Sequence, residues 1–340
     1  MKMIAFVAPF VLLAGTVASV PAYSQSHETL VVTASNTVAN NLLVYDSSDH
    51  LIQTLSTEGK GGVGGNSGGI AASQDRVAVV NFGSDNVSVF VRSRRGFRLN
   101  QAISTEAGPL SVAFGHNHLY ILSAKKIESH EIFDFGVSPG ADGVSDLLTA
   151  DGSAAQVGVL NNQLIVSEKS GAIETLNLRQ DGSVEGLASL VRNIPQNVDT
   201  PFGLTTRDNQ AYVSIAHANE ISLVRNDAVI TTTGSGTQSA PCWLALDGPY
   251  LFSANSPSKS VSRYVVHGKQ IVQEAAVAAS FAGNPTDIAY SAGYAAVIDH
   301  SGTVSHLSIF SVDGDGVLSL RGIATISSVA NGVAVVRDGD

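Results

Sequence analysis

Apolar residues recur along the chain in short runs, and polar turns separate the runs. Six segments share one order: a small or Pro-led entry, a short apolar strand, a polar turn, a second apolar strand, another turn and a third strand. They read "SGGIAASQDRVAVVNFGSDNVSVFVR", "GPLSVAFGHNHLYILSAKKIESHEIF", "AAQVGVLNNQLIVSEKSGAIETLNLR", "TPFGLTTRDNQAYVSIAHANEISLVR", "APCWLALDGPYLFSANSPSKSVSRYVV" and "NPTDIAYSAGYAAVIDHSGTVSHLSIF". A looser fourth strand follows, such as "LNQAIST" or "AVITTT". The pattern predicts consecutive antiparallel strands.

The spacing of the units predicts the fold class. One apolar anchor in the first strand of each unit recurs at intervals of about 40 to 47 residues, the period of a four-stranded propeller blade. The anchors are Ile70, Val112, Val157, Leu204, Leu244, Ile288 and Val333. We therefore predict an all-β, seven-bladed β-propeller with four-stranded blades. No stretch beyond the N-terminal segment sustains helical apolar spacing, and two stacked β-sandwiches are the remaining alternative.

The two chain ends complete the seventh unit. The C-terminal "SVANGVAVV" matches only a first strand, whereas "TLVVTASNTVANNLLVYDSSDHLIQTLS" near the N-terminus matches strands two to four. We expect residues 327–340 to pair with residues 28–56, so that the ring has no free sheet edge at the joint. The chain has one cysteine, Cys242, so no intramolecular disulfide can hold the ring closed.

A glycine-rich stretch, "GKGGVGGNSGG" (residues 59–69), precedes the first complete unit and satisfies the pattern G-x-G-x-x-G. That motif binds phosphate only where it follows a strand and opens a helix. The residues after it have a strand pattern, and Lys60 is followed by Gly61 rather than Ser or Thr, which excludes a P-loop. We interpret the stretch as a mobile loop at the channel mouth, where innermost strands crowd together and glycine permits close approach.

The N-terminus and the charge bear on location and partners. Residues 1–24 combine Lys2, an apolar run and a small-x-small site at Ala22-Tyr23-Ser24, which predicts a cleaved signal peptide and a propeller domain over residues 25–340. An uncleaved anchor is the alternative. The expected location is therefore secreted or periplasmic, with no membrane span after cleavage. A net charge of −10 argues against nucleic acid and anionic membranes. We expect a small-molecule ligand or an extracytoplasmic protein as partner, and no cofactor or metal.

Candidate site residues come from one end of the predicted ring. In a propeller, the loops from strand two to strand three and the entries into strand one share a rim, where ligands usually bind. This rim contains two histidine–carboxylate pairs, His217 with Glu220 and His300 with Asp299, which are suited to general acid–base chemistry. We assign catalytic roles to His217, Glu220 and Asp287, and ligand binding to Arg192, Trp243, Asp299 and His300. Ordinary turn polarity and, for Trp243, core packing are the alternatives.

Two units also resemble a known family. "DRVAVVNFGSDNVSVFV" and "APCWLALDGPYLFSANSPSKSVSRYVV" are similar to the repeats of lactonase-type seven-bladed propellers, which include phosphogluconolactonases and carboxymuconate cyclases, and to valine-rich repeats of surface-layer proteins. The resemblance covers the mature chain. It implies opening or closing of a lactone by His, Glu and Arg side chains at the channel mouth. In place of a His-Pro-Arg-like entry, the strand entries here read "GPLS", "TPFG", "APCW" and "NPTD".

Two functions therefore follow from the sequence. The first is hydrolysis or cyclisation of a lactone of a small sugar acid or muconate-type acid, in which Glu220 and Asp287 polarise water and His217 transfers the proton. The second is a non-catalytic extracytoplasmic propeller that binds a ligand or a protein on the same rim.

Overall fold

The computed structural model describes residues 1–2, 29–73, 75–94, 96–194 and 200–336. The predicted signal peptide lies almost wholly outside these residues and stays a prediction. Within the described residues, no helix is long and apolar enough to cross a bilayer.

The described chain folds into strands joined by turns, with two short 3₁₀ turns, Phe82–Ser84 and Ala216–Ala218. The strands of the first half are β1 Leu30–Ala34, β2 Asn41–Asp46, β3 Leu51–Ser56, β4 Ile70–Ala72, β5 Arg76–Asn81, β6 Asn86–Ser93, β7 Gly96–Ser104, β8 Pro109–Gly115, β9 His118–Ser123, β10 Lys126–Phe133, β11 Gly136–Val137, β12 Gly143–Asp146, β13 Ala154–Val159, β14 Gln163–Glu168, β15 Ala172–Leu178 and β16 Val184–Leu190.

Those of the second half are β17 Pro201–Arg207, β18 Gln210–Ile215, β19 Glu220–Arg225, β20 Val229–Gly234, β21 Pro241–Asp247, β22 Tyr250–Asn255, β23 Ser260–His267, β24 Gln270–Ser280, β25 Asn284–Ser291, β26 Tyr294–Ser301, β27 Val304–Val312, β28 Leu318–Ile326 and β29 Asn331–Val336.

These strands form seven antiparallel sheets, which we number as blades 1 to 7 from the N-terminus. In blades 2 to 7 the chain runs outward from the innermost strand, as in β25-β26-β27-β28 of blade 7. Blade 3 differs at its outer edge, where β11 and β12 both pair with β10. The seven-bladed propeller predicted from the anchor spacing is confirmed.

Blade 1 closes the ring. Its innermost strand is the C-terminal β29, which pairs antiparallel with β1, from Leu30 opposite Val336 to Thr33 opposite Val333. The Thr33 hydroxyl also donates a hydrogen bond to the Gly332 carbonyl, at 2.8 Å. Closure by the two chain ends, as expected from the incomplete terminal repeats, is confirmed.

Apolar side chains from facing sheets form the core between neighbouring blades. Val32 of blade 1 packs with Val79 and Phe90 of blade 2, and Phe252 of blade 6 packs with Val297 of blade 7. The alternation of side chains along each strand supplies one apolar face to each neighbour. The core therefore lies between the blades, and the rim loops are left free for function.

Candidate functional site

The glycine-rich segment Gly59–Gly69, here called the strap, lies across the upper mouth of the channel. We call this end upper because the innermost strands begin there. Val63, Asn66 and Ser67 of the strap are buried. The Ser67 amide donates to the Ala155 carbonyl of blade 4 at 3.1 Å, and the Lys169 ammonium donates to the Gly65 carbonyl at 2.6 Å. The strap lies at the predicted place, but its centre is packed into the mouth.

His217 and Glu220 lie on the predicted rim in blade 5. His217 is on the exposed 3₁₀ turn Ala216–Ala218, and its Nδ1 lies 2.9 Å from the Thr200 hydroxyl. Glu220 begins β19 and is half-buried. These two residues share a loop with each other but lie two blades from Asp287, so the three predicted catalytic residues do not form one cluster.

Asp287 joins blade 7 to the closing strand. Its Oδ2 accepts a hydrogen bond from the Val333 amide at 3.1 Å, and its Oδ1 accepts one from the Ile288 amide. Burial raises the pKa of this carboxyl to about 7, against the two hydrogen bonds, which lower it. Ser111 and Gln156 precede the anchors of blades 3 and 4, and they accept amide hydrogen bonds from the next blade in the same way. The position therefore serves as an acceptor between blades.

We expect Asp287→Asn to stabilise the fold above pH 7. The raised pKa means that the folded state holds a proton between about pH 4 and pH 7 that the unfolded state releases, so the free energy of unfolding falls as pH rises through this interval. The asparagine oxygen can accept from the Val333 amide without a buried charge, but its NH2 group then faces the Ile288 amide, and that bond is lost. The loss offsets part of the relief of charge burial, and the expected net gain at pH 8 is about 1–3 kcal/mol.

Thermal unfolding of both proteins at pH 5 and pH 8 measures this effect. Burial also raises the pKa of Glu168 to about 7, so Glu168 titrates over the same interval. The variant should therefore keep part of the pH dependence of the free energy of unfolding. A loss of stability in Asp287→Asn that is larger at pH 8 than at pH 5 would contradict the assignment.

Trp243 and Arg192 have separate surroundings. Trp243 is half-buried at the entry of β21; its ring packs edge-on against Phe202, and its Nε1 donates to the Asn66 carbonyl of the strap at 3.4 Å. Arg192 donates to the carbonyls of Asn226 and Asp227, which lie in the turn between β19 and β20. That turn is at the lower end of blade 5, so Arg192 does not join the rim residues.

Asp299 and His300 are consecutive residues of β26, and their side chains point to opposite faces of blade 7. His300 contacts the Ser305 hydroxyl, and burial lowers its pKa. Asp299 is buried and faces His306 of β27, its partner across the hairpin, with Oδ2 lying 3.5 Å from His306 Nδ1. The predicted pairing of His300 with Asp299 is therefore replaced by Asp299 with His306.

The Asp299–His306 pair lines a cavity of ≈ 190 Å³ where blade 6 leads into blade 7, here called the dyad pocket. Its other lining residues are Ser280, Phe281, Ala282, Ser308 and Ile323. Asp299 Oδ2 is fixed by the Gly283 amide at 2.8 Å, so the carboxylate is held in place beside the imidazole. A histidine whose Nδ1 faces a carboxylate can use Nε2 as a general base.

Two other histidine–carboxylate pairs lie in blade 3. His118 Nε2 lies 2.9 Å from Asp142, but the Ser129 hydroxyl is bonded to the same carboxylate, so no serine is activated. His130 lies 3.4 Å from buried Glu128. The described residues hold no group of three or more His, Cys, Asp or Glu side chains suited to a metal ion.

His306 was missed in the sequence because polar residues were grouped by loop. The signal that could have found it is hairpin register: a turn centred on Gly302 places Asp299 opposite His306 and puts both on one face.

Comparison with solved structures supports the fold. A "putative 6-phosphogluconolactonase" from Bacteroides fragilis superposes with a TM-score of 0.64 at 15% identity, covering 93% of this chain and 99% of that chain. The periplasmic gluconolactonase of Pseudomonas aeruginosa gives 0.65 at 13% identity, with 91% and 99% covered. A streptogramin B lyase gives 0.57 at 15% identity, with 76% and 83% covered.

No protein-family model matches the chain, and no curated protein matches it in sequence. At these identities the superpositions show the fold alone, and the resemblance to lactonase-type propellers is confirmed at that level.

Proposed function

We propose that this protein hydrolyses a small, unphosphorylated lactone in the dyad pocket. The observation that carries the proposal is the Asp299–His306 pair at the wall of a cavity. A fold shared with two proteins described as lactonases supports it. The predicted signal peptide and the likeness to a periplasmic gluconolactonase support action outside the cytoplasm.

The chemistry needs one base and one positioned water. His306 Nε2 takes a proton from water, whose oxygen attacks the lactone carbonyl carbon, while Asp299 holds the Nδ1–H and stabilises the imidazolium. The bond from the acyl carbon to the ring oxygen then breaks. The ring oxygen takes the proton back from His306, and a hydroxy acid leaves. Phe281 and Ile323 supply apolar wall against the ring of the substrate.

The charge of the pocket selects the substrate class. None of its lining residues is Lys or Arg, Asp299 is acidic, and the chain carries a net charge of −10. A phosphate group would need a cationic partner there. The proposed substrate is therefore a lactone without phosphate.

The assay measures ring opening of D-glucono-1,5-lactone and of its 6-phosphate at constant pH, with heat-denatured protein as the blank. We expect at least about tenfold higher kcat/KM for the unphosphorylated lactone, because a lost charge-assisted contact is worth more than about 1.4 kcal/mol. Preference for the phosphate, or no turnover of either, would contradict the proposal. His217→Ala and Glu220→Ala, in the same assay, test the sequence-predicted rim set.

Two observations favour the second function, a non-catalytic binding propeller. The strap covers the upper mouth, where a family enzyme would gather its catalytic groups, and the predicted catalytic residues are spread over blades 5 and 7. Absence of turnover across a panel of lactones, combined with ligand-dependent thermal stabilisation, would favour this function.

A further inference from the structure

Two asparagines hold the strap: Asn36 of blade 1 bonds Gly62 and Val63 at its start, and Asn66 fixes its centre. The side-chain amide of Asn66 donates to the Leu110 carbonyl of blade 3 at 2.5 Å and accepts from the Asn331 amide at 3.1 Å, and the Asn66 backbone carbonyl accepts from Trp243 Nε1. Asn66 is 2% exposed. One asparagine therefore satisfies polar groups of blades 1, 3 and 6 that would otherwise face the open mouth.

Glycines flank Asn66 in two different ways. Gly64 has an ordinary φ and no atom within 4 Å of where a Cβ would stand, so neither packing nor backbone conformation requires glycine there. Gly68 has a φ of +67°, and a Cβ would clash with the Ser111 hydroxyl. Beyond them, a Cβ on Gly61 or Gly69 would also clash with its neighbours. Gly64 thus adds backbone freedom beside Asn66, between two tightly fitted ends, and the segment Gly64–Ser67 is held in place by its hydrogen bonds.

A cavity lies directly below the strap. It measures ≈ 340 Å³, and Gly68 and Gln156 line its upper end. Its walls are the innermost strands β4, β8, β13 and β17, whose inner edges pair with no further strand, so backbone N–H and C=O groups face the axis. The amides of Val112, Val157 and Leu204 are already bonded within the ring, and the groups below them remain for a ligand. Thr205 and Thr206 add hydroxyl groups, and no lining residue is charged.

We propose that the channel is a second binding site, for a small uncharged molecule rich in hydroxyl or amide groups, and that the strap closes it with Asn66 in the place of the ligand's polar head. The unpaired strand edges bind hydroxyl or amide groups of the ligand, and the absence of charged side chains on the wall disfavours acids and amines. When Gly64–Ser67 swings out, the Leu110 carbonyl, the Asn331 amide and Trp243 Nε1 become available to the ligand. This site is separate from the dyad pocket and does not depend on the proposed hydrolysis.

Trp243 is the only tryptophan in the chain and contacts the strap directly, so its fluorescence reports strap opening. Acrylamide quenching of Trp243 is measured in the full-length protein. We expect Asn66→Ala to raise the quenching constant at least twofold. Adding Gly64→Ala to this variant should reduce opening by about two- to fivefold, because alanine restricts the released segment.

Matched control variants distinguish opening of the strap from a general loss of stability. Gly140→Ala also fills open space at an ordinary φ, in a loop of blade 3, and Asn41→Ala removes an exposed side-chain hydrogen bond in blade 1. Neither should change the quenching. If Asn66→Ala does not fold, Lys169→Gln removes the anchor to the Gly65 carbonyl instead. Unchanged quenching in the folded Asn66 or Lys169 variant would overturn the closure.

The ligand class is tested with D-gluconamide, which is uncharged, and D-gluconate, its charged counterpart. We expect D-gluconamide to protect Trp243 from acrylamide quenching, and to bind Asn66→Ala with at least tenfold higher affinity than the unmodified chain. D-gluconate should not protect Trp243 in either protein. Equal affinity in both proteins would overturn the proposal that Asn66 takes the place of the ligand's polar head. Preference for D-gluconate would overturn the ligand class. Neither readout involves lactone turnover.

Discussion

Replacing His306 with glutamine is expected to lower lactone kcat/KM by about 10²- to 10⁴-fold, the range that a positioned general base contributes. Glutamine keeps the size of the side chain and its polarity but cannot accept a proton at neutral pH. Turnover is measured as ring opening at constant pH, at substrate concentrations on both sides of KM. The loss should fall mainly on kcat, because the imidazole acts on water in the transition state.

His50 provides the matched control. Its Nδ1 lies 3.0 Å from Asp46 Oδ2, a closer approach than that of His306 to Asp299, but the His50 side chain is 74% exposed. His50→Gln should leave turnover unchanged. A fall in both variants, or an unchanged rate in His306→Gln, would exclude the dyad pocket as the active site.

Removing the closing strand is expected to unfold the propeller. A chain that ends at Ala330 lacks β29, and with it the buried side chains of Val333, Val335 and Val336. Burial of each valine contributes about 1.5–3 kcal/mol, and the total approaches the 5–15 kcal/mol stability of a typical domain. The truncation also exposes the edge of β1, and no disulfide is available to hold the ends together.

The reference for this truncation is a chain that ends at Val336 and so keeps all of β29. Circular dichroism melting curves and light scattering compare the two proteins. The shorter chain should be insoluble, or should unfold at least about 10 °C below the reference, since 1 kcal/mol shifts the midpoint by about 2–4 °C in large domains. Equal midpoints would mean that the pairing of β29 with β1 does not stabilise the ring.

The candidate site was only partly predictable. The rim residues His217, Glu220, Trp243, Asp287 and Asp299 lie at the predicted end of the ring, because strand order alone fixes which loops share an end. Which of them form pairs depends on side-chain direction and on hairpin register. These decided that Asp299 meets His306 and not His300, its neighbour in sequence.

The burial of individual carboxyl groups could not be predicted from the sequence pattern either. The sequence places Asp287 at a strand entry, where we assign it a catalytic role, but it does not indicate that the packed blades remove Asp287 and Glu168 from water and raise the pKa of each to about 7. Desolvation depends on every neighbour that surrounds a carboxyl, and those neighbours come from distant parts of the chain.

The sequence by itself determined the number of blades, the order of strands within each and the closure by the chain ends. These follow from the local alternation of apolar residues and from its repetition at a fixed period, and both features can be read directly from the sequence. Only the tertiary structure decided that the glycine-rich segment fills the mouth, that Arg192 lies at the other end of its blade and that a cavity opens beside His306. Such facts depend on distances between residues far apart in the chain, and those distances are set only when all seven blades pack around one axis.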